Sequence, residues 1–422
     1  MRLAIIGGGW AGLAAAVAAT DAGRAVTVFE AARSIGGRAR AVPALLSDGR
    51  PVVLDNGQHI LIGAYGETLR LMRKVGVDID AALLRLPLAL AFPDGSGLRF
   101  PSLPAPLDAL LGILGARGWS WRDKLALLRV ASGWQRAGFV CDAQRSVADL
   151  CLGLTPRVRE EMIDPLCVSA LNTPATEASG QVFLRVLRDA MFGVSGGSNL
   201  LLPRQDLGAL FPEAAARFVE ARGGRMAVGH RVRALERETQ GWRVDDEHFG
   251  AVLLACPPAE AARLAEVAGT QSADWCAQAR ALRFEAIATV YLDGGHRLAA
   301  TMLALRSTPD APAQFVFDRG QLGGPPGLWA MVVSASAADR DVLEAQVVAQ
   351  AAGQLGCSNP RVLRTVVEKR ATFACTPGLR RPSMQVAPGL LACGDYVEGP
   401  YPATLEGAVR SGIAAALACV VQ

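Results

Sequence analysis

Lysine is almost missing from this chain of 422 residues: only Lys74, Lys124 and Lys369 occur, although lysine and arginine together number 43. Arginine therefore carries nearly all the positive charge, and against 39 acidic residues the formal net charge is only +4. A balance so close to neutral offers no electrostatic footprint for a nucleic acid. The four histidines, His59, His230, His248 and His296, stand at no metal-ligand spacing from one another or from a cysteine, so no metal is expected. The nine cysteines form no CxxC pair, and their odd count and scattered spacing argue against a disulfide framework. The expected compartment is reducing, the cytoplasm. No stretch provides the roughly 20 unbroken apolar residues of a spanning helix. Arg410 interrupts the last candidate, Leu405 to Val421. A secretory signal is mimicked by Arg2 before an apolar run and by Ala16-Val-Ala18. Gly7-Gly8-Gly9 breaks that run, however, and cleavage there would remove the most informative stretch of the chain.

That stretch begins with Leu3 to Ile6, four apolar residues suited to a strand buried on both faces. Gly7, Gly9 and Gly12 follow at the GxGxxG spacing, and the Ala-rich run Leu13 to Thr20 reads as a helix capped at its end by Gly23. Gly7 allows a tight turn, Gly9 lets the backbone approach a pyrophosphate, and Gly12 lets helix and strand pack closely. The helix N-terminus then faces the phosphate charge. A second strand, Ala25 to Phe29, ends in Glu30, where an acidic side chain can accept hydrogen bonds from an adenosine ribose. With 51% hydrophobic and 19% charged residues, the chain can build a large core in two or three domains.

Gly36-Gly37-Arg38, just beyond Glu30, resembles the second phosphate-contact motif of the flavin amine oxidase and carotenoid desaturase superfamily, which implies FAD rather than NAD. Gly57-x-His59 and Gly63-Ala64-Tyr65 resemble the plant and cyanobacterial phytoene and zeta-carotene desaturases. More closely still they resemble the squalene-associated FAD enzymes, the hydroxysqualene dehydroxylases. Asp164 to Pro174 and Phe183 to Asp189 are similar to the same group. Near the far end, Gly394-Asp395-Tyr396 and Tyr401-Pro-Ala-Thr-Leu-Glu-Gly-Ala-Val409 are similar to the desaturase pattern. The implied fold is α/β: a Rossmann-type, glutathione-reductase-like FAD-binding domain with an inserted mixed sheet-and-helix substrate domain. The implied cofactor set is Gly7, Gly9, Trp10, Ala11, Gly12, Glu30 and Ala31 on the adenosine side, with Gly37, Arg38 and Gly57 beyond. Val232 would lie beside the adenine through its backbone, and Gly394 and Asp395 beside the ribityl chain. Thr404 and Leu405 would bring a helix N-terminus to the pyrimidine end of the flavin.

The implied domains are 1–75, 190–265 and 380–422 for FAD, and 76–189 and 266–379 for substrate. Within the first set, a helix is expected over Leu207 to Arg222, and strands over Met226 to Val228, Arg231 to Leu235, Gly241 to Val244 and Ala251 to Ala255. In the second, Ile287 to Leu292 and Leu328 to Val333 read as strands flooring a cavity. Across 103–136, Leu103, Leu107, Leu110, Leu111 and Leu114 share one helical face. Trp119, Trp121 and Trp134 follow among Arg117, Arg122, Lys124, Arg129 and Arg136. Such a face suits either an amphipathic lid packed on the protein's own core or helices docked on the inner membrane face.

The resemblance implies reduction of hydroxysqualene to squalene by hydride from reduced FAD, with an electron donor that the sequence does not identify. Desaturation of a carotenoid or other polyisoprene is a second reading, and a flavin-binding protein without redox turnover a third. Amine oxidation is disfavoured, because no lysine lies between Lys124 and Lys369 and the usual aromatic-cage position falls on Thr404. Departure of hydroxide needs a proton donor. His59, Tyr401 and Glu406 are the candidates, with His59 first because an imidazolium donates near neutral pH. Each also fits a structural role: His59 bonded to backbone, Tyr401 in a cavity wall, Glu406 at the helix start. Asn172 can orient a hydroxyl or serve a turn before Thr173-Pro174.

Overall fold

The computed structural model describes residues 2–270, 272–336 and 338–419. The strand Arg2–Ile6 lies inside a six-stranded sheet, ordered Arg225–Val228, Ala25–Glu30, Arg2–Ile6, Ala251–Leu254, Leu390–Ala392 and Gln385–Ala387. The first five run parallel and the last is antiparallel. Because successive side chains of a strand point to opposite faces, Leu3 and Ile5 enter one core cluster and Ala4 and Ile6 another. Burial on both faces explains the unbroken apolar run.

Two helices cover the Leu3 and Ile5 face: Trp10–Asp21 and Leu405–Ala418, from the two ends of the chain. They approach so closely that a Cβ on Gly412 would stand 2.1 Å from the Ala11 carbonyl oxygen.

The second sheet is antiparallel, ordered Met302–Ala304, Phe315–Asp318, Trp329–Ser334, Phe284–Asp293 and Arg361–Phe373. Ala288, Val290 and Leu292 pack with Leu343, Val347 and Ala351 of the helix Arg340–Leu355. Ile287, Phe315, Phe317 and Val332 line a cavity instead. We propose the two sheets as the cores of the cofactor and substrate domains.

Two expected elements differ. The run Leu207 to Arg222 forms two helices, Leu207–Leu210 and Pro212–Glu220, because Pro212 has no N–H to continue the ladder and Phe211 has φ −150°. Arg231 to Ala234 is not a strand. The Arg233 and Ala234 amides donate to the Asp245 carboxylate, each at 2.9 Å, and pairing starts only at Leu235–Arg237.

A buried polar seam joins the segment before His59 to the second sheet. The Tyr291 hydroxyl donates to the Asp55 carbonyl (2.9 Å), Leu207 N donates to Asp55 Oδ1 (2.8 Å), and Arg319 donates to Gln58 (3.1 Å). Asp55 is 1% exposed, and burial pushes its carboxyl up to about 6, although Arg319 and the Leu207 amide oppose this. A folded-state value above the unfolded one means that the native state binds more protons between the two. Stability from this group is therefore present at low pH and is lost as pH rises through about 6. The loss is on the order of 3 kcal/mol. Asp55→Asn keeps the acceptor for Leu207, so urea unfolding between pH 4 and pH 8 should show this fall in the natural protein and a flatter profile in the variant.

Candidate active site

The glycine-rich turn places backbone rather than side chains around a cavity of about 750 Å³. Gly7 takes φ +120°, and a Cβ on Gly12 would stand 1.9 Å from the Gly7 carbonyl oxygen, so helix and turn are in direct contact. At Gly9 the surroundings are open. Its φ of −79° suits any residue, and an added Cβ would meet only Gly37 Cα, at 3.8 Å. A bridge between Gly9 and Gly36, with Gly36 N donating to Gly8 O at 2.8 Å, holds the two glycine segments side by side. The helix Trp10–Asp21 has no side-chain cap and no acid in its first turn, leaving its first amides for an anion. The Trp10 indole donates to Ala39 O at 3.0 Å and fixes the second segment against the first.

Glu30 is oriented by two amides, with Gly8 N donating to Oε2 (2.8 Å) and Ala32 N to Oε1 (2.7 Å). Its carbonyl accepts from His230 N, which sets the course of the loop carrying Val232. Arg38 pairs with Asp395 at 2.5 Å and donates to Ala371 O at 2.8 Å, joining the start and end of the chain across the cavity. Asn56 Nδ2 donates to Arg38 O (2.6 Å), and Asn56 Oδ1 accepts from Arg40 N (3.0 Å). Thr404 caps the helix Leu405–Ala418 by accepting from Gly407 N at 3.0 Å.

Of the cofactor residues expected from the sequence, Gly7, Gly9, Trp10, Ala11, Glu30, Ala31, Gly37, Arg38, Gly57, Val232, Gly394, Asp395, Thr404 and Leu405 line this cavity. Gly12 stands behind its wall. This arrangement fits FAD: uncapped amides and open glycines for the phosphates, an oriented acid for the ribose, and a second helix N-terminus for the flavin. Those residues would hold it.

The three expected proton donors are not brought together. His59 lines the cavity, with Nδ1 2.9 Å from Gly57 O. Facing a carbonyl, Nδ1 carries the proton and Nε2 a lone pair. Burial holds the imidazolium below the ordinary histidine range, the Gly57 bond opposes this, and the Arg38 charge adds to it. Burial therefore favours the neutral ring over the imidazolium. Glu406 is fully buried and does not line the cavity. Its carboxylate accepts from Glu67 N, Thr68 N and the Thr68 hydroxyl and pairs with Arg410, so it anchors the last helix. Tyr401 lines a separate cleft of about 380 Å³ beneath the Arg410 guanidinium.

Asn172, at φ +46°, caps the helix Asp164–Leu171. Its amide nitrogen donates to the Thr372 hydroxyl (3.0 Å) and its oxygen accepts from Ala335 N (2.9 Å), so both ends are engaged. Sequence reasoning passed over Asn56, although its place directly before Gly57 was a usable signal. Gly9→Val should fold with a melting temperature near that of the natural protein yet purify colourless. Its methyl groups would fill the open cradle, and absorbance of bound flavin near 450 nm is the measurement.

A family model described as flavin containing amine oxidoreductase matches residues 10–420. The chain is 28% identical to a hydroxysqualene dehydroxylase of Rhodopseudomonas palustris, over 98% of this chain and 96% of that protein. It is 27% identical to the hydroxysqualene dehydroxylase of Sinorhizobium fredii, again over 98% and 96%. An oxidoreductase from Methanosarcina mazei superposes with a TM-score of 0.76 at 18% identity, covering 99% of this chain and 100% of that one. The protein is an FAD-dependent oxidoreductase, and matched along nearly all its length it belongs to the flavin containing amine oxidoreductase family.

Proposed function

We propose that the protein removes the hydroxyl group of hydroxysqualene to give squalene. The observation that carries this reading is the change of character along one cavity. It is polar and glycine-lined at Gly9, Glu30 and Arg38, then walled by Ile60, Val168, Ile287, Phe315, Phe317 and Val332. Aliphatic and aromatic walls suit a polyisoprene chain and exclude water from a carbocation-like reacting carbon. No lysine lines the cavity among the described residues, and Thr404, at the aromatic-cage position, spends its hydroxyl on helix capping. Both features disfavour an amine. The two dehydroxylase relatives, matched end to end, support the same choice.

Bound in its reduced form, FAD supplies the hydride that replaces the hydroxyl, and a separate two-electron donor must restore it. The chain's own task is to hold the chain of the substrate, keep water out and deliver one proton to the departing oxygen. His59 is the cavity-lining group we assign to that delivery, through Nε2, since Nδ1 is committed to Gly57. Its lowered pKa means that the protonated form grows as pH falls below the ordinary histidine value of about 6.5. Single-turnover oxidation of the reduced flavin by hydroxysqualene should therefore speed up towards acid pH. His59→Ala should slow it by about 10² to 10⁴ and flatten the profile, with FAD still bound. An unchanged rate and profile would remove His59 from the reaction. Oxidised enzyme that desaturates squalene or phytoene, with no turnover of hydroxysqualene by the reduced form, would favour the desaturase reading.

We also propose that the protein docks on a membrane, where so apolar a substrate resides. No described helix is long and apolar enough to cross one. The helices Leu107–Leu114 and Trp121–Arg136 bury Ile113, Leu127 and Trp134, and Trp119 between them donates to Glu161 at 2.9 Å. Two of the three tryptophans thus serve the core. Leu107, Leu110, Leu111, Trp121 and Leu125 remain exposed, with Arg122 and Arg129 beside them. An apolar patch flanked by arginines suits the interface of an anionic bilayer. The protein should float with anionic liposomes, and Leu110→Asp with Leu111→Asp should reduce the floated fraction several-fold; equal recovery without liposomes would favour the lid.

A further inference from the structure

Among the described residues, four carboxylates line the cavity, and three of them are engaged: Glu30 by two amides, Asp395 by Arg38, and Glu260 by Arg263 at 2.8 Å. Glu368 is the fourth. It lies half-buried in the strand Arg361–Phe373, where its carboxylate accepts one long bond, from Arg370 N at 3.4 Å, and forms no ion pair among the described residues. Two features of the sheet aim it inward. It stands opposite Ile287, and residues directly opposite in an antiparallel pair share a face, so it belongs to the same floor as Ile287 while Val367 joins Ala288 on the other side. Beside it the pairing jumps from Ile287–Glu368 to Glu285–Thr372, a bulge of the kind found next to active sites, where it re-aims a side chain. The same bulge presents the Ala371 carbonyl to Arg38.

Glu368 therefore stands where the two halves of the cavity meet, with Ile287 on the apolar side and Arg38 on the polar one. Burial works against the Arg38 charge, but Asp395 first and then Glu368 hold its guanidinium above the ordinary value, and the same guanidinium acts on His59. Because Arg38 is already paired with Asp395, the negative charge of Glu368 is left over. We propose that Glu368 is a catalytic residue whose carboxylate stabilises positive charge on the reacting carbon of an apolar substrate. The inference rests on the dehydroxylation reading. There the C–O bond breaks with its electron pair on oxygen, which takes a proton and leaves as water, and the carbon, short of that pair, accepts the hydride of reduced FAD. A fixed negative charge beside that carbon favours the transition state over the neutral alcohol, and apolar walls strengthen the effect. The same charge makes the cavity a site for long-chain ammonium compounds, held as inhibitors rather than as substrates.

The test uses the full-length, FAD-loaded protein and two probes with the same alkyl chain, protonated N,N-dimethyldecylamine and decanol, with binding read from the change in flavin absorbance. Glu368→Gln keeps the size of the side chain and removes its charge. It should bind the ammonium on the order of tenfold more weakly and the alcohol unchanged, whereas Glu368→Asp should retain part of the preference. Single-turnover oxidation of the reduced flavin by hydroxysqualene should fall by about 10² in Glu368→Gln. Ammonium affinity that survives Glu368→Gln, or that falls together with alcohol affinity, would overturn the proposal. So would a Glu368→Gln protein that fails to fold or to hold FAD, since the carboxylate would then be structural. A natural protein that leaves hydroxysqualene unchanged, yet shows an ammonium preference that depends on Glu368, would refute the dehydroxylation reading and keep the cation site. Turnover of hydroxysqualene with ammonium binding indifferent to Glu368 would do the reverse.

Discussion

A buried seam of hydrogen bonds around Asp55 ties the chain segment that leads into the cavity to the antiparallel sheet. Tyr291 and Arg319 come from the second sheet and its following turn, while Asp55 and Gln58 come from the segment that leads to His59. A carboxylate at 1% exposure is costly in this setting. An apolar seam would pack as well but would lack direction, since hydrogen bonds between named atoms fix register where dispersion contacts only fix separation. The register matters because Gly57, Gln58 and His59 line the cavity directly after the seam.

From this junction the wall divides by chemistry. On the parallel-sheet side, helix ends and amides face inward, and the fixed charges Glu30, Arg38 and Asp395 are each held by hydrogen bonds. On the antiparallel side, the alternation of the strands turns Ile287, Phe315, Phe317 and Val332 inward. One cavity thus has a polar, glycine-lined side and an apolar side. Low polarity on one side also strengthens every electrostatic contact on the other.

Much of the cofactor half was legible in the sequence because its signals are local. A buried strand, a glycine turn and an Ala-rich helix lie within about twenty residues, and each element constrains its neighbour. Failures came where a distant residue decides. Nothing near Arg233 announces that the Asp245 carboxylate will take its amide, and only the fold shows that Glu406 turns away to hold Thr68. The spacing of Trp119 and Trp134 suits a packed lid and an interfacial helix alike, because spacing cannot tell which face a neighbouring helix covers.

The position of the strand Arg2–Ile6 also bears on how the protein comes into being. It is made well before two of its partners, since one of its two sheet neighbours is Ala251–Leu254 and the helix Leu405–Ala418 covers one of its faces. At a synthesis rate of roughly 5–20 residues per second, the interval between the first strand and that last helix is tens of seconds. Throughout it the nascent chain exposes an apolar strand with an open edge, the kind of surface that chaperones hold and that aggregates capture. The Arg38–Asp395 contact cannot form until the end of that interval either. Flavin loading is therefore a late event, and in cells the supply of free FAD should influence how much of the newly made protein survives.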